Sequence, residues 1–247
     1  GYSWVSSDAY ATAIDVLTVA TFNNDYAAPA ANRFPKANLL AVHANKMFAA
    51  GVDEDGVNYP NRLRWSHEDS PKDWAEDDYI DIVGGGNGIT GLSVVNGSLI
   101  IFKPSSIYIL LGYSDADFRL VQLSGSLGAP HPLAIVNSDS SVYFYSNPEG
   151  LFSFDGSRMI DLFDNIRPAT DLNEFNLSAP NAVTLSWVGH RLWMSAPYSK
   201  DTTVTDPKVN FVFDPSIGQG GAFTMFESSD GFGLIGGCDY EDNSSNN

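Results

Sequence analysis

The chain has 247 residues, of which 43% are hydrophobic and 13% aromatic, and this composition excludes general disorder. Thirteen basic and 30 acidic residues leave a formal net charge of −17, which disfavours a general DNA, RNA or anionic-membrane binder. The single cysteine, Cys238, excludes an intrachain disulfide and any multi-cysteine zinc site.

Short apolar runs alternate with turn-forming residues along the whole chain, and helical periodicity is weak. The best helical candidates are residues 8–17 and 169–176. Elsewhere the hydrophobic period is two, and Val, Ile, Tyr, Phe, Trp and Thr dominate, as is typical of strands. The run LIIF at residues 99–102 is apolar on both faces, which predicts a strand buried from both sides. The mixed run at residues 118–123 predicts an outer or edge strand.

Four apolar segments are each interrupted by a tight turn, and each predicts a β-hairpin. These hairpins cover residues 39–50, 92–102, 133–145 and 183–196, with turns at Asn45-Lys46, Asn96-Gly97, residues 138–140 and Gly189-His190. Two further short runs follow each hairpin. In hairpin order they are 62–65 with 79–83, 107–111 with 118–123, 151–154 with 159–163, and 210–213 with 222–226. Each unit therefore contains four predicted strands.

A four-stranded unit that recurs every ~40–50 residues is the signature of a β-propeller. We therefore predict an all-β fold in which residues 1–247 form a single five-bladed propeller of four-stranded antiparallel blades. The blades span roughly residues 38–88, 89–131, 132–180 and 181–230, with a split fifth blade made of 231–247 plus 1–37. Residues 232–238 are expected to pair with strands from residues 5–25, because pairing the two ends closes the ring and removes exposed sheet edges. Two packed β-sandwiches, or part of a larger propeller, are the alternative architectures.

Two loops resemble ligand-binding motifs only superficially. The glycine-rich run GGGNG at residues 84–88 is followed by a predicted strand rather than a helix and lacks the Gly-Lys-Ser/Thr of a phosphate loop. It is interpreted as a connector between blades. The run DEDG at residues 53–56 resembles half of a calcium loop, but Val57, Tyr59 and Pro60 stand where later ligands belong. It predicts an acidic hairpin tip.

Residues with catalytic or metal-binding chemistry are present, but they form no recognised pattern. The four histidines are His43, His67, His131 and His190, and none has a metal-ligand spacing. Cys238 lies in an apolar run and is interpreted as a core residue, and no Gly-x-Ser-x-Gly nucleophile motif occurs. We predict no catalytic, cofactor-binding or metal-binding residue and no cofactor.

A glycosidase-like enzyme and a carbohydrate-binding propeller are two alternative functions for such a chain. SHEDSPKDW at residues 66–74 partly matches the sialidase motif Ser-x-Asp-x-Gly-x-x-Trp but departs from it at Glu68 and Ser70. No paired carboxylates stand out, and the positions of the arginines within the units do not repeat; the arginines are Arg33, Arg62, Arg64, Arg119, Arg158, Arg167 and Arg191. Four tryptophans could either stack on a sugar or pack within blades, namely Trp65, Trp74, Trp187 and Trp193.

Several runs between about residues 60 and 170 resemble a known family. They are RWSHEDSPKDW at 64–74, ITGL at 89–92, NGSLIIFK at 96–103, SIY at 106–108, GAPH at 128–131, VYF at 142–144 and EGLFSFDG at 149–156. In these runs the chain resembles bacteriophage tail structural proteins with a β-propeller, including the tail nozzle (tail tubular protein B-like) proteins of short-tailed phages. The motifs consist of packing and turn residues.

The resemblance implies a structural component of the virion tail, without catalysis. The expected partners are neighbouring copies in a homo-oligomeric ring, with six as a candidate number, and other phage tail proteins. We expect no specific nucleic-acid binding and no membrane insertion; an acidic channel would let DNA pass without phosphate contacts. The alternatives are a carbohydrate- or receptor-binding propeller, a glycosidase-like enzyme and a generic interaction scaffold.

Overall fold

The computed structural model describes residues 35–54, 56–71, 73–86, 88–138, 140–164, 183–197, 209–217 and 220–227. These residues form four antiparallel sheets of four strands, and within each sheet the strands follow one another in chain order. Their only helical element is a single 3-10 turn at Pro132–Ala134. We refer to the sheets as blades 1 to 4.

The strand bounds of the four blades follow the predicted units closely. Blade 1 contains β1 (Lys36–His43), β2 (Lys46–Glu54), β3 (Val57–Trp65) and β4 (Tyr79–Asp81). Blade 2 contains β5 (Gly91–Val95), β6 (Ser98–Lys103), β7 (Ser106–Leu111) and β8 (Arg119–Ser124). Blade 3 contains β9 (Ile135–Asn137), β10 (Val142–Ser146), β11 (Gly150–Phe154) and β12 (Met159–Asp161). Blade 4 contains β13 (Thr184–Val188), β14 (Arg191–Ala196), β15 (Val209–Asp214) and β16 (Ala222–Glu227).

The arrangement of the blades is that of a β-propeller. The first strand of each blade contacts the first strand of the next, in the series β1, β5, β9 and β13. The blades therefore meet along their first strands and fan outwards from them, so that each blade packs face to face on its neighbours. The all-β propeller fold predicted from the repeat is confirmed.

Alternating side chains of the middle strands fill both interfaces of an inner blade. In β6, Leu99 and Ile101 pack towards blade 1, whereas Ile100 and Phe102 pack towards blade 3, and all four are 0% exposed. In β10, Phe144 packs towards blade 2 and Tyr143 and Tyr145 pack towards blade 4. The strand period of two thus sends successive side chains into two different cores, as the double-sided apolar run LIIF predicts.

The hairpin turns have the local geometry that their residues favour. Asn96 and Gly97, between β5 and β6, have φ values of 46° and 74°, and Gly189 and His190, between β13 and β14, have 59° and 58°. Two consecutive positive φ values define the turn type that matches the twist of a β-hairpin. In the first hairpin the turn residues are Ala44 and Asn45, one position earlier than expected, so that Lys46 is the first residue of β2.

Several strand predictions differ in their bounds. Strand β3 begins at Val57 rather than at residue 62, because extra residues in β3 at positions 60–62 lie opposite Gly51 of β2 and let the strand pair continue past Pro60. Strand β9 begins at Ile135, since Pro132–Ala134 forms the 3-10 turn, and β12 ends at Asp161. The split fifth blade, both helical candidates and Cys238 lie outside the described residues, apart from the few residues of β1 before Asn38, so the fifth blade stays a prediction.

Candidate functional site

The glycine-rich run at residues 84–88 connects blade 1 to blade 2, as predicted. The four glycines have φ values between 66° and 93°, a region that side-chain-bearing residues rarely adopt. The loop lies over the β6–β7 turn, where a Cβ atom on Gly85 would come within 1.6 Å of Ser106 Oγ. Backbone contacts hold it there, with Ser105 N donating to Gly85 O at 3.2 Å. The loop is a packing element with a structural reason for each glycine.

Beneath this connector lies a buried lysine. The Lys103 side chain is 0% exposed, and its Nζ atom donates to Asn61 Oδ1 at 2.8 Å and to Ile82 O at 2.7 Å. Both acceptors are neutral oxygens of the blade 1 side of the interface. Burial lowers the pKa of the Lys103 ammonium below its usual value. Lys103 therefore joins the first two blades by hydrogen bonds.

The acidic tip of the β2–β3 hairpin forms part of an ion-pair network. Glu54 accepts from Arg62 Nη1 and Arg64 Nη1, each at 2.9 Å, and Arg62 also contacts Asp81 at 2.9 Å. The Arg62 guanidinium lies between two tyrosine rings, 3.9 Å from the Tyr59 centroid and 3.8 Å from that of Tyr79. Hydrogen bonds from Arg62 lower the pKa of the Asp81 carboxyl. Two of the predicted arginine candidates are thus occupied by partners within blade 1.

The loop between β3 and β4 contains the run that partly matches the sialidase motif. Ser66 and Trp74 are both 0% exposed, and Trp74 Nε1 donates to Pro71 O at 2.7 Å. Ser66 Oγ accepts from Met47 N at 3.0 Å, which fastens the start of the loop to β2. The loop therefore closes on itself and on blade 1, and its tryptophan packs against Ala49 and Val52 in the core. Trp65, 8% exposed, is also a core residue.

Of the four histidines, His43 and His190 occupy contrasting places. His43 is 5% exposed, and its Nε2 atom lies 3.4 Å from Gly112 O. Burial is the main cause that lowers the pKa of His43. His190 is exposed at the tip of the β13–β14 hairpin. In the part of the chain that the structure describes, no three His, Cys, Asp or Glu side chains cluster in a way that could hold a metal ion.

A cleft of about 350 Å³ opens between blades 3 and 4, and aromatic, hydroxyl, imidazole, guanidinium and carboxylate groups line it. Its aromatic wall is formed by Trp187 of β13 and Tyr143 of β10, whose rings stack at a centroid distance of 5.3 Å and an angle of 14°. Tyr143 is 7% exposed and its hydroxyl bonds to the Ser138 side chain, whereas Trp187 is only partly buried. Trp187 thus rests one ring face on a fixed neighbour and lines the cleft.

The polar side of the cleft is built by the pairing of β14 with β15. In that antiparallel register Leu192 lies opposite Phe213, which places Arg191 beside Asp214 at the strand ends. Arg191 Nε donates to Asp214 Oδ2 at 2.8 Å. The other carboxylate oxygen, Oδ1, accepts from Ser216 N at 3.0 Å and Ser216 Oγ at 2.6 Å. The bonds from Ser216, and next those from Arg191, lower the pKa of Asp214 to about 2. Asp214 therefore stays ionised and orients Arg191.

Sequence reasoning did not identify this cleft, although Trp187 and Arg191 were both among its candidates. The two residues are four positions apart on either side of one tight turn, a local signal that was available. Tyr143 and Asp214 are distant in sequence, and only the packing of blade 3 on blade 4 and the β14–β15 register bring them to the same place. The remaining tryptophan, Trp193, lies outside the cleft and stacks on Phe226 at 6.3 Å.

Comparisons with known proteins find similarity among solved structures. No protein-family model matches the chain, and no curated protein matches it. Among solved structures, the N-terminal domain of Nup159 is similar with a TM-score of 0.45 and 11% identity, covering 80% of this chain and 46% of that one. PorZ, an essential bacterial surface component of the type-IX secretion system of Porphyromonas gingivalis, has a TM-score of 0.22 and 14% identity, covering 91% and 41%. The chain thus spans less than half of either protein, and neither neighbour points to a phage tail.

No helix in the described ranges is both long and apolar enough to span a bilayer. The propeller fold itself is established by the order of the sixteen strands and the packing of the four blades, independently of these neighbours.

Proposed function

We propose that this propeller is a structural component of a bacteriophage tail, of the nozzle or tail-tube-end type, which packs with copies of itself in a ring and with other tail proteins. The observation that carries the proposal is the sequence resemblance between residues 60 and 170, together with the way these residues act in the fold. They join blades to one another, as expected of a protein whose task is mechanical.

The motif residues lie at the interfaces between blades. Thr90 Oγ1 donates to Ala129 O at 2.7 Å, which ties the entry of blade 2 to its exit, and Thr90 N donates to Phe102 O at 2.8 Å at the start of the β5–β6 pair. Tyr108 Oη donates to Val83 O at 3.2 Å, and Lys103 reaches Ile82 O. A Cβ atom on Gly91 would meet Ile135 Cδ1 at 2.1 Å, so glycine permits the close approach of blade 3. These contacts support a structural role.

The outer strand of blade 2 provides a surface suited to contacts between copies. Val121 and Leu123 are 43% and 37% exposed, and they share one face of β8 with the exposed Arg119. Strand β8 contains no acidic residue. In a chain of net charge −17, an apolar strand without carboxylates is where two copies approach with the least repulsion. We place the lateral contact of the ring at this edge.

Electron microscopy of phage particles from the source tests the proposal. Gold-labelled antibodies raised against the full chain are expected to mark the tail end, and a reconstruction is expected to show β8 between neighbouring copies around the tail axis. Labelling confined to the head, no labelling of intact particles, or a single unpaired copy would overturn the proposal.

A genetic test examines the contact itself. Particles assembled from the double variant Val121→Asp with Leu123→Asp are expected to lose at least a hundredfold in infectious titre, because carboxylates would be buried between copies. Val83→Asp is the matched control, since Val83 is 84% exposed and lies outside β8. Equal titres for the two variants would exclude β8 as the contact.

A further inference from the structure

The cleft between blades 3 and 4 combines an aromatic surface with an exposed cation. Trp187 lines the cleft while its ring is held against Tyr143, so its position is set before any ligand arrives. A fixed, partly exposed indole offers a flat apolar surface without a large loss of side-chain freedom on binding. A pyranose ring has an apolar face formed by its C–H bonds, and this face matches the indole in shape and polarity.

Arg191 supplies the positive charge. Its side chain is 55% exposed, whereas that of its partner Asp214 is 13% exposed, so the accessible member of the pair is the cation. The bond to Asp214 uses Nε, and among the described residues no hydrogen bond occupies the two terminal nitrogens of Arg191. Two terminal N–H groups in one plane match the two oxygens of a carboxylate. The Asp214 carboxylate contacts Arg191 through Nε, and its other oxygen accepts from Ser216.

The remaining walls provide hydrogen-bonding groups. Ser140, His190 and Ser216 line the same cleft and are exposed. Its volume of about 350 Å³ lies at the lower end of the range of about 300–1,000 Å³ typical of small-molecule sites. A site with one aromatic face, one guanidinium and a rim of hydroxyl and imidazole groups suits a ring that has an apolar face, several hydroxyls and one acid group.

We propose that this cleft binds a carboxylated sugar, such as one hexuronic acid unit of an acidic polysaccharide. The pyranose ring stacks on Trp187, its carboxylate accepts two hydrogen bonds from Arg191, and its hydroxyls reach the polar rim. The proposal is independent of the assembly role, since the cleft lies between blades 3 and 4 and the proposed contact between copies lies on β8 of blade 2. No bond is made or broken in this site; it is a recognition site.

Calorimetric titration of the full chain with trigalacturonic acid, and with a neutral galactose trisaccharide as the matched ligand, tests the proposal at pH 7 and 150 mM salt. The acidic trisaccharide is expected to bind at least tenfold more tightly than the neutral one. Arg191→Gln is expected to weaken acidic binding at least tenfold and to leave neutral binding unchanged. Trp187→Ala is expected to weaken both, and Trp187→Phe to restore most of the loss.

Two control variants separate the cleft from the rest of the surface. Arg158→Gln removes an exposed arginine of blade 3 that lies outside the cleft, and Trp193→Ala removes the tryptophan of β14 that lies outside the cleft. Both are expected to leave the affinities unchanged. If Trp187→Ala unfolds the chain, the comparison of Arg191→Gln with the parent chain still tests the proposal, because the exposed side chain of Arg191 is not part of the core. Absence of binding, equal affinity for the two trisaccharides, or acidic binding that survives Arg191→Gln would each overturn the proposal.

Discussion

Two interfaces of the same propeller are built in opposite ways. Between blades 1 and 2, a glycine-rich connector covers the β6–β7 turn, and Lys103 uses its ammonium to bond Asn61 and Ile82 across the junction. Between blades 3 and 4, the core is equally apolar, but the β13–β14 tip leaves Trp187 and Arg191 lining an open cleft. The polar groups between blades 1 and 2 bond to one another across the junction, whereas those between blades 3 and 4 face solvent. Two such interfaces show that blade packing constrains the apolar core but leaves the ends of the blades free to specialise.

The largest expected effect concerns the apolar core of the closed interface. Ile101→Ala should lower the free energy of unfolding by about 2–5 kcal/mol, because it leaves a cavity between blades 1 and 2. Urea unfolding followed by circular dichroism measures this loss. Val121→Ala, at an exposed position of β8, is the control and should stay within about 0.5 kcal/mol. A loss below about 1 kcal/mol for Ile101→Ala would contradict the double-sided burial of β6.

The connector above Lys103 can be tested at one glycine. Gly85→Ala should cost about 1–3 kcal/mol, because the new Cβ atom overlaps Ser106 Oγ and the position has a φ of 66°. Gly56→Ala is the matched control, since Gly56 has a φ of 82° with nothing within 4 Å. The difference between the two losses isolates the steric overlap from backbone strain. Ser106→Gly in the Gly85→Ala background should recover part of the loss of stability. No recovery would show that the loss does not come from the overlap with the Ser106 side chain.

The buried lysine predicts how the stability of the closed interface depends on pH. Since the pKa of Lys103 is lowered below its ordinary value of 10.5 in the folded chain, the unfolded state binds more protons between the two pKa values. The free energy of unfolding should therefore rise with pH across that window, by at most about 1.4 kcal/mol per pH unit. Lys103→Met should lack this contribution, and the difference in slope between the two proteins is the measurement. Parallel profiles would refute the lowered pKa.

The smallest expected effect concerns the open cleft. Asp214 has a pKa of about 2, below its ordinary 3.8, so its contribution to stability is present above pH 3.8 and is lost as the pH falls towards 2. Denaturant unfolding between pH 2 and 5 should show a shallower fall for Asp214→Asn than for the parent chain. Ser216→Ala should remove more of this slope than Arg191→Gln, because the Ser216 side chain is the larger cause of the shift. The reverse order would mean that Arg191, rather than Ser216, is the main cause of the lowered pKa of Asp214.

The features that could be predicted from the sequence are the local ones. A turn such as Asn96-Gly97 needs only the conformational preference of its own residues, and the structure has the predicted hairpin turn there, with a positive φ at both residues. The double-sided burial of residues 99–102 follows from an apolar run without alternation. The connector at residues 84–88 was predicted because the chain continues into a strand. Arg191 and Trp187 lie four positions apart across one tight turn, but Asp214 and Tyr143, which complete the cleft, are distant from them in sequence.

The four-stranded repeat, the strands and turns within it and the all-β fold follow from the amino-acid order, because hydrophobic period and turn preference act over a few neighbouring residues. Which polar groups are buried and which are exposed depends instead on how the blades pack. Lys103 meets Asn61 and Ile82 across a blade interface, and Tyr143 meets Trp187 across another. Such pairs depend on the stacking of whole blades, whose geometry is set by the packing of the apolar cores between them rather than by any local run of residues.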